Sequence, residues 1–220
     1  MKTISLIRSL LPGALLAIAT LSGSLCASTI HLDSQVGLAN TLSSGTVAIT
    51  PHLLWQSNNP VNPGDPTDTS AIWISYAFTG VGDADFQPEM DQTPVVTITD
   101  SFTSGSGFLT LNVWADDTAG VFLDGISLIA PVFDQSICSG APVGCRPQDA
   151  GVLSSALAAG PHTLAFTLYQ VGTGTDNVSN PFGLLYTGTA PAVPEPATLF
   201  LAGGALLAIG LARRRHPKRS

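Results

Sequence analysis

The chain has 220 residues, of which 45% are hydrophobic and 10% are charged, and its formal net charge at pH 7 is −7. This length suits one domain of ordinary size. Seven of the eight Lys and Arg residues lie near the two ends, so the acidic central part has Arg146 as its single fixed cation. Because binding to nucleic acid phosphates requires Lys and Arg, the composition excludes nucleic acid as a partner.

Residues 1–27 have the pattern of a secretory signal peptide. Lys2 and Arg8 give a basic start, an apolar stretch follows over residues 10–25, and the small residues "CAS" suit a signal peptidase. We expect cleavage after Ala27 or Ser28. The pattern predicts that the chain is exported.

Residues 28–188 are predicted to form one all-β domain, a β-sandwich or jelly roll. Short segments of alternating apolar and polar residues recur between Gly, Pro and Asp turns, which is typical of these architectures. Asp124-Gly125 between two apolar runs predicts a hairpin. Residues 150–159, "AGVLSSALAA", predict a short helical turn. The predicted strands are 45–50, 71–80, 94–103, 107–115, 120–129, 161–171 and 181–188.

Three tryptophans are candidate carbohydrate-binding residues, because a flat aromatic face can stack on a sugar ring. They are Trp55, Trp73 and Trp114. The alternative is that they belong to the core, where most aromatic side chains of β-sandwiches lie. In strand 107–115, Trp114 points away from the face that carries Leu109 and Leu111, so both interpretations stay open for it.

The segment 80–93, "GVGDADFQPEMDQT", concentrates acidic side chains in a predicted loop. Calcium prefers several hard oxygen ligands, often supplied by loops. The candidate calcium ligands are Asp83, Asp85, Glu89 and Asp91. The spacing resembles half of a calcium loop but lacks the Gly and the terminal Glu of an EF-hand. The alternative is a solvated acidic loop without calcium.

Cys138 and Cys145 bracket the short segment "SGAPVG". Two cysteines in an exported chain usually pair, and no His or further Cys lies close enough in sequence to suggest a metal site. We therefore predict a structural disulfide. Closing so short a loop stabilises a fold by about 2.5 kcal/mol.

The sequence contains no recognisable catalytic motif. The histidines of the central part, His31, His52 and His162, stand in no hydrolytic pattern, and "TSGSGF" lacks the first Gly of a nucleophile elbow. Asp116 and Asp117 are adjacent in a predicted turn, where short acidic side chains are common. We expect no catalytic residues and a protein that is not an enzyme.

The C-terminal part is predicted to be a membrane anchor. A Pro-rich linker, 189–196, precedes sixteen uncharged residues, 197–212, and a basic tail, 213–220. As a helix the uncharged run would span about 24 Å, slightly less than the hydrocarbon core of about 30 Å. Pro194 and Pro196 prevent the helix from extending backward. The arginine cluster predicts a cytoplasmic tail and an inner-membrane anchor, with the central domain outside.

The order of these parts resembles the PEP-CTERM sorting signal of exported bacterial proteins. The residues that carry the resemblance are Val193, Pro194, Glu195, Pro196, Arg213, Arg214 and Arg215. The resemblance implies an exosortase as a partner, which is a membrane protease and transpeptidase, and cleavage near the Pro-Glu-Pro sequence. It also implies release or transfer to the cell surface or an exopolysaccharide matrix.

Two segments of the central part resemble galactose-binding-type jelly rolls: "LTLNVWADDTAGVFLDG" at 109–125 and "LAAGPHTLAFTLYQ" at 157–170. This resemblance implies the fold, but such folds host many functions. Two functions follow as alternatives. The chain is a non-catalytic component of the cell surface or exopolysaccharide matrix, or it is a secreted carbohydrate-binding module, with or without calcium bound by the acidic segment 80–93.

Overall fold

Two antiparallel sheets build the described part of the chain. The computed structural model describes residues 28–133, 142–193 and 203–204, and within them eleven strands and one short 3-10 turn (Pro147–Asp149) are present. The strands are β1 (Thr29–Asp33), β2 (Ala39–Asn40), β3 (Val47–Ala48), β4 (Ile74–Ser75), β5 (Val96–Ser104), β6 (Gly107–Asp116), β7 (Thr118–Leu123), β8 (Ile126–Ile129), β9 (Gly151–Leu157), β10 (Gly160–Tyr169) and β11 (Gly183–Pro191).

The first sheet has the order β3-β4-β11-β6-β9, and β1 also pairs with β11. The second sheet has the order β2-β5-β10-β7-β8. The predicted β-sandwich is therefore confirmed. Strands β6 and β10 end, and strands β7 and β11 begin, at the same end of the sandwich, because neighbouring strands run antiparallel. We refer to this end as the loop end.

The main core lies between the two sheets. Alternate side chains of each strand point inward, so that Leu111 and Tyr186 of the first sheet pack in one cluster with Ile98 and Phe166 of the second. The rings of Phe166 and Tyr186 stack with centroids 4.3 Å apart, which joins the two layers directly. The buried Tyr186 hydroxyl donates a hydrogen bond to Asp100, so this polar group is satisfied.

A second hydrophobic cluster covers the outer face of the first sheet. We call it the outer cluster; it consists of Ile49, Trp55, Ala71, Trp73, Trp114, Cys145 and Leu185. Trp114 and Leu185 point away from the main core because their neighbours along β6 and β11 point into it. The chain between β3 and β4 folds over this face and supplies Trp55 and Trp73. The first sheet is therefore buried on both faces along β11 and the second half of β6.

The predicted helical turn at 150–159 is wrong, because strand β9 (Gly151–Leu157) occupies that position. Ala and Leu favour a helix in isolation, but here the segment pairs with β6 from Gly107↔Leu157 to Val113↔Gly151. Its side chains alternate in burial, as expected for an outer strand of a sheet. Tertiary pairing has overridden local propensity.

The domain boundary with the predicted linker is also shifted. Strand β11 continues to Pro191, three residues into the segment 189–196, because Thr189, Ala190 and Pro191 pair with β1. Beyond Val193, residues 194–196 lie outside the described part.

The predicted hairpin at Asp124-Gly125 is confirmed. Asp124 has φ 52° and Gly125 has φ 81°, and positive φ at both central residues is the requirement of the tight turn that matches the twist of two paired strands. The turn connects β7 to β8. Asp124 also accepts a hydrogen bond from the backbone N–H of Thr163 on the neighbouring β10.

Asp124 and His162 form an ion pair that makes stability depend on pH. His162 Nδ1 lies 2.7 Å from Asp124 Oδ2, and His162 Nε2 lies 3.0 Å from the carbonyl oxygen of Ala158. Both partner atoms are hydrogen-bond acceptors. Only the protonated imidazole has two N–H groups and can donate to both of them. The contact with Asp124, followed by that with Ala158, raises the pKa of His162 above 6.5. The hydrogen bond from His162 lowers the pKa of Asp124 below 3.8.

Replacing His162 with Gln is expected to lower the melting temperature most between about pH 4 and about pH 6.5. A raised His pKa contributes stability below the unfolded-state value and loses it as the pH rises through the folded-state value. The lowered Asp124 pKa contributes above its unfolded-state value and is lost in stronger acid. Melting curves of both proteins from pH 4 to pH 9 test this. An equal difference at pH 5 and pH 9 would contradict it.

Several sequence predictions fall on residues outside the described part. These are the signal peptide 1–27, Cys138, Pro194, Glu195, Pro196, the segment 197–212 apart from Gly203 and Gly204, and the basic tail 213–220 with Arg213, Arg214 and Arg215. Among residues 28–133, 142–193 and 203–204, no helix has the length and apolarity needed to span a bilayer.

Candidate functional site

The predicted calcium ligands are not brought together as a group. Asp83 Oδ2 accepts hydrogen bonds from the backbone N–H groups of Thr50 and Gly80. Asp85 Oδ2 accepts one from the backbone N–H of Phe78. These two carboxylates therefore hold their own loop against neighbouring backbone, while the remaining two, Glu89 and Asp91, are exposed. Within the described residues, the convergent group of possible metal ligands lies elsewhere, beside β1.

The three tryptophans meet in the outer cluster. Trp73 is fully buried, and Trp55 and Trp114 are 5% and 4% exposed. The ring centroids of Trp55 and Trp73 are 4.2 Å apart, and Trp73 Nε1 donates a 2.6 Å hydrogen bond to the carbonyl of Gln56. None of the three presents an open ring face to solvent. Trp55 also borders the cavity described below, which makes it the candidate contact residue among the three, while a sugar contact by Trp73 or Trp114 stays a prediction.

Cys145 is fully buried in the outer cluster. Its predicted partner, Cys138, lies outside the described residues. The disulfide between them therefore stays a prediction.

The candidate site is a cavity of about 490 Å³ at the loop end of the sandwich. We call it the loop-end cavity. Three parts of the chain that are distant in sequence supply its walls: the segment after β3, the junction of β6 and β7, and the loop between β10 and β11. The lining residues are His52, Leu54, Trp55, Asp116, Asp117, 171–174 and 178–181.

Asp117 organises one wall of the cavity. It is 6% exposed, and its Oδ2 accepts hydrogen bonds from the backbone N–H groups of Val171 at 2.7 Å and Gly172 at 2.8 Å. A carboxylate that accepts two N–H bonds fixes the position of the loop that donates them. Asp117 therefore attaches the start of the β10–β11 loop to the end of β6.

Asp116 has a different environment from its neighbour. Its side chain is buried, and burial raises the pKa of Asp116 well above its usual value, with further contributions from the charge of Asp117 and a shared hydrogen bond. The indole of Trp55 acts in the opposite direction by hydrogen bonding to the carboxyl group. Burial and the neighbouring carboxyl group therefore both favour the neutral form of Asp116.

The β10–β11 loop is held in shape by its own side chains. Asn180 Nδ2 donates to the carbonyl of Gly172, and the Gln170 side chain donates to the carbonyl of Asn180. A Cβ atom on Gly172 would lie 2.3 Å from Asn180 Oδ1, and one on Gly174 would lie 2.4 Å from Asn180 Cβ. Glycine at both positions allows the loop to close around Asn180. The cavity wall is therefore preformed.

A further turn stabilises the far side of the same loop. Asp176 Oδ1 accepts hydrogen bonds from the backbone N–H groups of Val178 and Ser179, at 3.1 Å and 2.8 Å. Asn177 Nδ2 donates to the backbone carbonyls of Asp83 and Asp85. The acidic segment 80–93 thus supports the cavity loop from behind.

Asp116 and Asp117 are predicted from sequence to be turn residues, with no indication of a cavity. They instead end β6 and bridge to β7, and both are buried. One signal was available: "VGTGTDNVSNP" at 171–181 is a long segment rich in Gly and Asn between two predicted strands. Loops of this length in small domains are often functional.

Comparison with solved structures finds similar folds at low similarity. A family 35 carbohydrate-binding module from Clostridium thermocellum is 12% identical over 76% of this chain and 100% of its own, with a TM-score of 0.38. The CBM35 of Paenibacillus barcinonensis is 9% identical over 74% of this chain and 99% of its own, with a TM-score of 0.35. An exo-beta-1,3-galactanase from Phanerochaete chrysosporium is 13% identical over 74% of this chain and 29% of its own, with a TM-score of 0.33.

No curated protein sequence matches the chain at a significant level. Residues 192–215 match the family model described as the PEP-CTERM protein-sorting motif. This match begins directly after β11 and covers the segment in which the sequence resemblance was recognised. The chain therefore carries a PEP-CTERM sorting motif at its C-terminal end, and this motif implies an exported protein.

Proposed function

We propose that this chain is an exported, non-catalytic protein that binds a neutral saccharide of the cell surface or exopolysaccharide matrix in the loop-end cavity. The observation that supports this most is a preformed cavity with a buried carboxyl pair in its wall. Its volume of about 490 Å³ falls in the range of about 300–1,000 Å³ that is usual for small-molecule sites.

The chemistry of the cavity suits hydroxyl groups. The carboxyl groups of Asp116 and Asp117 and the amide of Asn180 offer hydrogen-bonding atoms, while Trp55 and Leu54 give an apolar border. A sugar hydroxyl both donates and accepts, so such a mixed lining can bind it. Among the described lining residues there is no Lys or Arg, and the surrounding acidic domain would repel a polyanion. A neutral saccharide is thus favoured over a uronic or sulfated one.

The carboxyl pair supports binding rather than hydrolysis. Glycosidases place two carboxyl groups on opposite sides of the scissile bond, about 5 Å apart or more. Asp116 and Asp117 are consecutive residues in one wall, and Asp117 Oδ2 is already engaged by two backbone N–H groups. Because the two carboxyl groups lie in the same wall and Asp117 is held by backbone N–H groups, the pair does not offer an acid and a nucleophile on opposite sides of a bound sugar.

Sorting and processing of the chain form the second half of the proposal. The matched motif begins at residue 192, and Ala192 N–H donates a hydrogen bond to the carbonyl of Ser28. The first and last residues of the β-sandwich domain therefore lie side by side. We infer that residues 197–212 hold the exported domain at the inner membrane until an exosortase cleaves near Pro194–Pro196, and that the domain then passes to the surface or matrix.

Mature protein recovered from the matrix of the native host is expected to end near Pro194–Pro196 and to lack residues 197–220. Mass spectrometry of its C-terminal peptide measures this directly. Recovery of the intact C-terminus outside the cell would contradict processing, without bearing on the cavity.

Replacing Val178 with Trp is expected to reduce retention on the host polysaccharide at least about tenfold, since a bulky ring at the rim would fill the cavity. Val178 lines the cavity and is 59% exposed, and exposed substitutions away from special features usually change stability by less than about 0.5 kcal/mol. The measurement is affinity electrophoresis in gels that contain the polysaccharide.

The matched control is Val152→Trp, the same change at a position that is 75% exposed on β9. This variant should be retained like the unaltered protein. Equal retention of both Trp variants would place the saccharide elsewhere or show that none binds. The same assay with a calcium chelator tests the calcium dependence predicted for segment 80–93.

A further inference from the structure

A second cluster of side chains that can bind a metal lies where strand β1 of the first sheet meets the loop 62–70. We call it the β1 cluster; it consists of His31, Asp33, Asp65 and Asp68. His31 and Asp33 are two residues apart on β1 and therefore project from the same face of the strand. One ligand atom each of His31, Asp33 and Asp68 lie within 4.8 Å of one another.

The imidazole of His31 is oriented from both sides. Its Nε2 lies 3.1 Å from Asp65 Oδ2, and its Nδ1 lies 3.3 Å from Asp68 Oδ2. Asp65 is itself fixed by the backbone N–H and hydroxyl of Thr67. When Asp65 accepts the Nε2 proton, the lone pair of Nδ1 faces Asp68. A carboxylate on the far nitrogen of a histidine is the usual support for a metal ligand.

Asp68 is fixed equally firmly. Its side chain is 7% exposed, and it accepts hydrogen bonds from Asn62 Nδ2 at 2.8 Å and Ser70 Oγ at 2.7 Å. Asn62 also donates to the carbonyl of Gly188 on β11, which attaches the loop to the sheet. The carboxylate is therefore held beside β1 without freedom to turn toward solvent.

Two buried oxygen atoms at this place have no hydrogen-bond partner. They are Asp33 Oδ1 and Thr187 Oγ1. Thr187 is fully buried and stands directly opposite Asp33 in the pairing of β1 with β11, so the two side chains share one face of the sheet. The Thr187 hydroxyl lies close enough to act on the Asp33 carboxylate, but the two oxygen atoms do not reach hydrogen-bond geometry, so a cation beside Asp33 would supply the partner that both lack.

The charge balance leads to the same conclusion. Three carboxyl groups surround one imidazole, and Arg146, the one fixed cation of residues 28–193, follows Cys145 of the outer cluster. Ser70 Oγ lies 2.8 Å from Asp33 Oδ2 and 2.7 Å from Asp68 Oδ1, and its single O–H proton donates to one of them at a time, so the two acidic side chains are held close together. Among the described residues, no Lys or Arg forms an ion pair with these carboxyl groups, and His31 is the basic side chain that contacts them.

We propose that His31 Nδ1, Asp33 and Asp68 bind a divalent transition-metal ion of the zinc type, which fastens strand β1 to the loop 62–70. One imidazole nitrogen with carboxylate oxygens is a set that zinc accepts, and nitrogen ligands favour such ions over calcium and magnesium. The site is separate from the loop-end cavity and does not depend on saccharide binding. Its role is to hold β1 in the first sheet once the predicted signal peptide, residues 1–27, has been cleaved off.

Zinc titration of the purified full chain tests the proposal. Isothermal calorimetry with ZnCl2 should give one ion per chain and a higher melting temperature that EDTA reverses. His31→Gln and Asp33→Asn should each weaken zinc binding at least about tenfold. The matched control is His162→Gln, which removes another histidine paired with an aspartate and should leave zinc binding unchanged.

The unaltered protein gives a decision even if a variant fails to fold. Zinc should shift the Nδ1 nitrogen NMR signal of His31 and leave that of His162 in place. Absence of zinc binding, unchanged affinity in His31→Gln, a shift of another histidine instead, or equal affinity for CaCl2 would each overturn the proposal.

Discussion

Replacing Trp73 with Ala is expected to lower the free energy of unfolding by about 3–5 kcal/mol. The side chain is fully buried, packs at 4.2 Å from the Trp55 ring, and donates its indole N–H to Gln56. Its loss leaves a large cavity in the outer cluster and an unpaired carbonyl. Typical domains have only about 5–15 kcal/mol of stability, so this one change removes a large share of it.

Urea unfolding followed by far-ultraviolet circular dichroism measures this effect. Trp73→Phe is the intermediate variant, because it retains most of the ring volume and loses only the indole hydrogen bond. Leu53→Ala is the control, because it removes an apolar side chain that is 98% exposed and therefore does not pack in a core. If Trp73→Ala were as stable as Leu53→Ala, the outer cluster would not be a structural layer.

Replacing Asp117 with Ala is expected to reduce stability by about 3 kcal/mol or more and to abolish saccharide retention. Each hydrogen bond to a charged acceptor contributes about 1.5–3 kcal/mol, and Asp117 accepts two, from Val171 and Gly172. Without them the start of the β10–β11 loop loses its attachment to β6. The cavity wall would then lose the shape on which binding depends.

Asp117→Asn separates the two effects, since the amide retains one acceptor oxygen without the charge. Its stability and retention should fall between those of the unaltered protein and Asp117→Ala. Chemical denaturation and affinity electrophoresis measure both quantities on the same preparations. A fully stable Asp117→Ala variant with normal retention would remove Asp117 from any role in the cavity.

The long strands could be predicted from sequence because their alternation is regular. The segments 94–103, 107–115 and 161–171 correspond to β5, β6 and β10, and the Asp124-Gly125 turn was specified by its residue types. Predicted strands 45–50 and 71–80 were found as β3 and β4, with two residues each. Much of the remaining chain there covers the outer cluster. The backbone groups of such segments form hydrogen bonds with other loops and with side chains. An alternating sequence pattern does not predict these hydrogen bonds.

Strands β1 and β9 were missed for a different reason. β1 alternates regularly between apolar Ile30 and Leu32 and polar His31 and Asp33, but it has only five residues and directly follows the predicted signal peptide. β9 is rich in Ala and Ser, which are weak strand formers. Both strands form because β11 and β6 offer unpaired backbone groups at the right distance. Their conformation is determined by long-range pairing.

The candidate site was still harder to predict. The periodicity of β6 showed that Trp114 points away from the Leu109–Leu111 face, but not that another layer covers it. The cavity joins segments about sixty residues apart or more, such as Trp55, Asp116 and Asn180. A pair of adjacent aspartates gives the same sequence pattern in an exposed turn as in a cavity wall, so the sequence cannot distinguish the two. Only the tertiary arrangement raises the pKa of Asp116 through burial.

Nitrogen NMR of the unaltered protein during addition of neutral oligosaccharides from the host matrix tests the saccharide site most directly. The indole N–H of Trp55 and the backbone N–H groups of Val171 and Gly172 should shift together and saturate, because they border the loop-end cavity. The indole N–H of Trp73 and the Asp124–His162 pair should remain unchanged. No saturable shift, or a shift confined to the second sheet, would contradict saccharide binding at the loop end.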